Sequence, residues 1–430
     1  MKIQKLTSKT RQEIMEKLKS RNPGGFSEYE KTVREILEDV RTRGDEAVFA
    51  YTRKFDGFEL TPENIRVTKE EIEAAYKELD PALVETIREA AANIRAFHEK
   101  QLRTSWFDPK PDGSLLGIRF TPIERIGVYV PGGKAAYPSS VLMNIIPAKV
   151  AGVPEILMVT PPGKTGKVDA GTLVAADLAG ATDIYKVGGA QAIAALAYGT
   201  QSIPKAYKIT GPGNIFVALA KKEVYGLAGI DSIAGPSEVL VLADETADPR
   251  YVAADLLSQA EHDEMASAIL VTTSEELAKN VEREIEGFLQ ILPRAEIIRK
   301  SLDGYGYLLV TENMEDAIET VNEIASEHLE ILTANPFDTM TRVRNAGAIF
   351  LGEYSSEPLG DYFAGPNHIL PTNGTAKFFS PLNVDDFLKK TSIISYSREA
   401  LEAVHEKIEL FARSEGLTAH ENSIKVRFER

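Results

Sequence analysis

Gln259 and His262 stand three residues apart in SQAEHD, so on a helix both side chains leave the same side. An amide oxygen beside an imidazole is half of a metal site, and the other half has to come from elsewhere in the chain. Glu327 and His328 are adjacent in ASEHLE. A carboxylate next to an imidazole offers one base for an alcohol proton and a second for a water. Asp361 and His368 lie in LGDYFAGPNHILPTNGTAKFFS, residues 359–380, a stretch rich in Gly, Pro and Asn. Long segments of that composition are functional or disordered, and Tyr362, Phe363, Phe378 and Phe379 favour the ordered, functional case. Near the C-terminus Glu415 and His420 sit in SEGLTAHENS just around a glycine stop. An isolated acid and histidine in a small module suggest that it docks onto another surface, of this chain or of a partner.

Against each of these stands the plain reading of a histidine satisfied in a core or on a surface. His98, among Arg95, Glu99 and Lys100, reads as a surface or boundary histidine, and His405, amid Glu402, Glu406 and Lys407, as structural. His328 continues the apolar stripe Ala317, Ile318, Val321, Ile324 and Ala325 of a helix expected over 313–328. By itself that stripe points to the core, and the adjacent Glu327 raises the functional reading.

The elements that must position these groups follow from periodicity. A strand is expected over 239–242, entered through the Gly235-Pro236 turn that leaves Ser237 and Glu238 at its mouth. Asp248 is placed to cap the helix that follows, with Pro249 at its first position and Val252, Ala253, Leu256, Leu257 and Ala260 as the buried stripe. Residues 1 to about 110 are mostly helical by period, beginning with a small amphipathic helix over 1–21. From Ile126 strands alternate with helices, at 156–160, 184–187 and 207–210, which indicates a parallel sheet with helical cover. Its turns Pro131-Gly132-Gly133, Gly188-Gly189 and Gly211-Pro212-Gly213 gather Tyr129, Gln191 and Asn214 at the carboxyl ends of strands, where open α/β sheets bind ligands. The dinucleotide fingerprint GxGxxG is absent, so these glycines serve either as plain turns or as a cofactor loop. A helix is expected over 398–412, with Leu401, Val404, Ile408 and Phe411 inward, and Gly416 is placed to end it.

Composition narrows the chemistry. The 430 residues suffice for two or more domains with substantial cores. With no cysteine, disulfides, thiol nucleophiles and Cys-based zinc sites are excluded, and a metal must be held by His, carboxylate or amide groups. A formal charge of −15 argues against nucleic acid and against anionic membrane surfaces as partners. The charge-alternating N-terminus lacks a secretory apolar core, and no run approaches the roughly 18 apolar residues of a membrane span, so a cytoplasmic protein is expected.

Taken together, IDSIAGPSEVLVLAD, SQAEHD, ASEHLEI, GDYFAGPNHILPT and SEGLTAHENS resemble the histidinol dehydrogenase family, over almost the entire chain and most clearly from GVYVPGG onward. The resemblance implies zinc or manganese, one ion per subunit, held by Gln259, His262, Asp361 and His420, with Glu327 and His328 as the catalytic bases. It implies substrate contacts from Ser237, His368 and Glu415 alongside the ligands Gln259, His262, Asp361 and His420 and the base His328, and NAD contacts from Tyr129, Gln191 and Asn214. The implied reaction is a four-electron oxidation of L-histidinol through L-histidinal to L-histidine with two NAD, in a homodimer whose tail completes the partner's site. The expected architecture is α/β, with two Rossmann-like parallel-sheet domains lacking GxGxxG. A helical segment over 1–25 precedes a catalytic domain over 26–125 plus 238–380, an NAD domain over 126–237 and a tail module over 381–430. Two rivals remain: a dehydrogenase of the same fold acting on another amino or sulfonated alcohol, and a metal-dependent hydrolase, since zinc plus a glutamate base also describes hydrolysis.

Overall fold

The computed structural model describes the chain except for residues 22–26, 133–136, 234 and 430, and gives only the backbone of residues 27 and 28. The expected domain edge after residue 25, Gly133 of the Pro131 turn and Ala234 of the AGPSE turn lie outside the described residues. The chain forms two compact units, Met1–Gln101 with Ile123–Phe387, and Leu102–Pro122 with Leu388–Arg430.

The first unit is α/β and holds two parallel sheets. Six strands pair in the order Lys2–Lys5, Gly306–Val310, Ser267–Thr272, Glu238–Ala243, His328–Leu332, Ala348–Leu351. The central strand EVLVLA is buried throughout, as a continuous apolar run must be when helices cover both faces. Val239, Val241 and Ala243 pack into one core with the helix Pro249–Ala260, while Leu240 and Leu242 pack into another with the helix Met314–Ile324. The second sheet orders Asp183–Tyr185, Glu155–Val159, Arg125–Tyr129, Lys208–Thr210, Gly229–Ile230. Apart from the edge strand Lys2–Lys5, each sheet starts in its middle, grows to one side and then crosses to the other. Each therefore has a switch point, between Arg125–Tyr129 and Lys208–Thr210 in one and between Glu238–Ala243 and His328–Leu332 in the other.

Several local expectations are corrected. The N-terminus is not helical from its start: Lys2–Lys5 adds an edge strand, and the helix Ser8–Lys19 follows, burying Ile14, Met15 and Leu18. The helix expected over 313–328 stops at Ile324, where Ala325 turns left-handed at φ 53° and caps the helix through Val321 O. His328 therefore opens a strand rather than continuing a helical stripe. His98 is not at the surface. It is fully buried, with Nδ1 2.7 Å from Ile94 O and Nε2 3.4 Å from Asn367 Nδ2, and burial lowers its pKa.

The second unit is small. Trp106–Pro109 and Leu388–Ser395 pair antiparallel on either side of Leu115–Pro122. The helix expected over 398–412 is two helices, Arg398–Glu402 and His405–Ser414, and Phe411 is 68% exposed rather than inward. His405 is structural as expected, its Nδ1 2.9 Å from Glu409 Oε1. Gly416, at φ 74°, ends the second helix, and Thr418–Lys425 follows.

Candidate active site

A cavity of about 400 Å³ lies between the carboxyl ends of the five-stranded sheet and the amino ends of the six-stranded sheet. Pro131, Gly211 and Asn214 line it from the first side, and Ser237, Glu327 and His328 from the second. Gln259, His262, Asp361 and His368 complete the polar wall. Among the described residues, none that line it is Lys or Arg.

Each group is held by the backbone nearby. Asp248 caps the helix Pro249–Ala260 as expected, accepting from Arg250 N–H at 2.7 Å, so Gln259 falls in the last turn and His262 just beyond the end. Gln259 is 1% exposed. Its amide fits with nitrogen on Glu357 Oε1 at 3.1 Å and oxygen on the Glu238 N–H at 3.0 Å, an N–H it shares with Glu327 Oε2 at 2.9 Å. The amide oxygen keeps a second lone pair. His328 Nδ1 donates to Glu238 O at 3.0 Å, so Nε2, 3.5 Å from Asp361 Oδ1, is the nitrogen that gains or loses a proton. That Nε2 is buried and has no hydrogen-bond partner, on a residue that lines the cavity. His368 is anchored by Nδ1 on Asp361 O at 3.1 Å and reaches Ser140 Oγ with Nε2 at 3.5 Å.

The electrostatics match a site that wants a cation. Burial pushes Glu327 up to about 8, with His328 opposing. Burial alone would lower His328, but Glu327 and Asp361 outweigh it and lift the imidazole to about 10. Glu357 is raised to about 7 by burial, against the relief that His328 provides. Asp361 ends below its ordinary value because its bond to His328, and His368 beside it, overcome desolvation. His328, Glu357 and Asp361 bring ligand atoms within 4.8 Å of one another. An amide oxygen, imidazoles and carboxylates with no cysteine suit a borderline divalent ion, and among the described lining residues no Lys or Arg competes for the carboxylates. The residues present therefore fit a metal.

Two of the three NAD candidates lie behind the cavity wall rather than on it. Tyr129 is buried, accepts from Gly189 N–H at 3.2 Å and is pushed up to about 12 by burial. Gln191 is buried on the same turn, its Oε1 without a partner. Asn214 lines the cavity and caps the helix Ile215–Val224 through Phe216 N–H at 3.1 Å. A second cavity of about 470 Å³, lined by Asp56, Gly132, Pro161 and Lys164, shares Pro131 with the first. There a Cβ on Gly132 would come 2.5 Å from Pro161 Cγ, so only glycine keeps that wall open. A partnerless amide at a switch point, flanked by glycine turns, fits a dinucleotide.

Of the four expected metal ligands, Gln259, His262 and Asp361 line one cavity, as do Ser237, His368, Glu327 and His328. His420 and Glu415 belong to the second unit, where both are exposed and border a groove with Val404, Ile408, Phe411 and Leu417. Sequence reasoning missed Glu357, buried against Ser258 Oγ at 2.7 Å, and Glu238, whose backbone holds both members of the Glu327–His328 pair. Glu238 stood beside Ser237 in the quoted AGPSE turn and its position was the available signal; Glu357 gave none.

The sequence profile described as histidinol dehydrogenase matches residues 19–428 of this chain. The histidinol dehydrogenases of Bacillus licheniformis and Bacillus subtilis are each 59% identical over 410 residues, covering 95% of this chain and 96% of their own. The crystal structure of histidinol dehydrogenase from Elizabethkingia anophelis is similar with a TM-score of 0.89 at 40% identity, over 93% of this chain and 92% of that one.

Proposed function

The chain belongs to the histidinol dehydrogenase family, NAD-dependent oxidoreductases, and from that premise we propose that it oxidises L-histidinol through L-histidinal to L-histidine with two NAD at a zinc site. The observation that carries this reading is the gathering of Gln259, His262 and Asp361 around a cavity that Glu327 and His328 also line. Gln259, His262 and Asp361 would hold the ion, joined by His420 of a second copy in a homodimer. When bound, zinc or manganese supplies a Lewis-acid grip on the substrate's nitrogens, and NAD supplies the hydride acceptor.

The chain's own residues handle protons and orientation. Each oxidation removes one hydride from the carbinol carbon and one proton from its oxygen. His328 takes the hydroxyl proton on Nε2, its Nδ1–H staying on Glu238 O. Glu327 then deprotonates a water as it adds to the aldehyde while His328 returns its proton to the aldehyde oxygen, giving the hydrate, and His328, neutral again, takes the second hydroxyl proton. Ser237, His368 and Glu415 would orient the substrate, and the cavity keeps the reactive aldehyde from solution. Tyr129, Gln191 and Asn214 would lie against NAD. Among the described residues no helix is long and apolar enough to cross a membrane, and we place the reaction in the cytoplasm.

NADH absorbance on addition of histidinol tests the reading, with two NADH per substrate expected. No NADH, as for a hydrolase, or faster turnover of another amino or sulfonated alcohol overturns it.

A further inference from the structure

Glu238 is not among the described residues that line the active-site cavity, yet it touches both proposed bases. Its N–H donates to Glu327 Oε2 at 2.9 Å, its carbonyl accepts from His328 Nδ1 at 3.0 Å, and its side-chain Oε2 accepts from Glu327 N–H at 3.3 Å. The other carboxylate oxygen is held by Arg21, which reaches across from the end of the N-terminal helix segment. Arg21 is buried too. It donates to Met265 O at 3.2 Å and lies over the Tyr305 ring at 5.4 Å, so its guanidinium is pinned on several sides. The strands Glu238–Ala243 and His328–Leu332 are neighbours in the sheet, with Val239 opposite His328. Glu238 and Glu327, the residues just before those partners, sit at the amino ends of the two strands, where the pairing between these strands stops. Glu238 is still paired with Ser267 on its other side, Glu327 O accepts from Ala348 N–H at 2.9 Å, and the Arg21-held carboxylate ties the two residues to each other.

We propose that Arg21 and Glu238 are positioning residues for the reaction: their ion pair locks the strand mouth so that Glu327 and His328 present their reactive atoms to the cavity. Two donors, the Arg21 guanidinium and the Glu327 N–H, converge on two carboxylate oxygens. Glutamine at 238 offers one acceptor and one donor in the same space, so it cannot satisfy both. The strand start then shifts within its remaining backbone bonds, and the His328 anchor on the Glu238 carbonyl shifts with it. Displacements of about 1 Å cost on the order of 100-fold in rate, while a substrate held chiefly by other groups binds as before.

The inference rests on Glu327 and His328 being the bases, and the test separates the two. Glu238→Gln, Arg21→Lys, the double variant, Glu327→Gln and His328→Asn are purified as zinc-loaded full-length protein, and kcat, KM for histidinol, zinc per chain and thermal midpoint are measured. The expected result for Glu238→Gln and Arg21→Lys is a kcat lowered roughly 10- to 100-fold with KM within about threefold and zinc retained. The double variant should lose no more than the worse single one, since both act through one contact. Wild-type kcat in Glu238→Gln and Arg21→Lys while Glu327→Gln and His328→Asn are inactive removes the positioning role alone. Additive losses, or losses that track missing zinc or a collapsed thermal midpoint, likewise overturn it by showing a general structural part. Normal turnover in Glu327→Gln and His328→Asn overturns the assignment of bases, and this inference with it.

Discussion

Replacing Lys221 by Met isolates a buried charge at the mouth of the cavity. Lys221 and Asp231 form an ion pair with side chains 3% and 4% exposed. Both also hold Gly211: Lys221 Nζ donates to its carbonyl at 2.9 Å, and its N–H donates to Asp231 Oδ2 at 2.8 Å. Gly211 has φ 113°, a conformation that needs this support. Lys221→Met therefore leaves a carboxylate buried without its cation, and such a break costs about 3 to 5 kcal/mol. In Lys221→Met with Asp231→Asn the charge is gone while an oxygen still accepts from Gly211. The cost should fall to about 1 to 2 kcal/mol, chiefly the Gly211 carbonyl left without its donor. Urea unfolding followed by circular dichroism reads both variants. The expected order places the double variant about 2 to 3 kcal/mol above the single one. A double variant no more stable than Lys221→Met would refute the claim that an uncompensated charge is what the single change creates. Because Gly211 and Asp231 both line the cavity, the single change should also raise KM for NAD more than KM for histidinol.

Other consequences can be measured. Asp56, partly exposed and bordering the second cavity, is raised to about 6 by burial, and one of its oxygens has no partner. A folded pKa above the unfolded value near 4 means that its contribution is intact in acid and is lost as pH rises through 6, by on the order of 1 kcal/mol once solvent screening is allowed for. Asp56→Asn should then gain in thermal midpoint over the wild type between pH 4 and pH 7.5, and a difference independent of pH would contradict this. His328→Asn should slow both half-reactions by roughly 100- to 10,000-fold, whereas Glu327→Gln should slow histidinal oxidation more than histidinol oxidation. Single-turnover traces started from each substrate check this, and equal small losses in both variants would mean the roles are misassigned. Mixing an inactive Gln259→Ala chain with an inactive His420→Ala chain should restore up to about a quarter of the activity if sites are shared across a twofold dimer. No recovery in verified mixed dimers counts against sharing.

What could be read from sequence was whatever local spacing encodes. Gln259 with His262 and the adjacent Glu327 and His328 announced themselves because neighbours in sequence stay neighbours on a helix end or a strand start. The run VLVL, inside the strand EVLVLA, read as a strand because burial on both faces leaves no polar alternation. The failures came from partners far along the chain. His98 was taken for a surface residue because its flanks are charged, while Asn367, which meets it, lies 269 positions away. Leu115–Pro122 pairs with Leu388–Ser395, a register that nothing local announces. The amide of Gln259 could be proposed as a ligand, but its orientation depends on Glu357, an acid in a short, proline-bearing turn. The usual rule, that ligands sit at carboxyl ends of strands, holds for the five-stranded sheet and fails for the six-stranded one, whose amino ends carry the bases.

The central claim is that Gln259, His262 and Asp361 hold one ion within reach of His328. A crystal grown with zinc and histidinol, measured at the zinc absorption edge, addresses it directly. The account predicts a single anomalous peak about 2.0 to 2.2 Å from His262 nitrogen, Asp361 oxygen and Gln259 oxygen, with His420 of the other subunit as the remaining protein ligand. A peak bound instead by His328, Glu357 and Asp361, with His262 turned away, would occupy the base with metal and contradict the account.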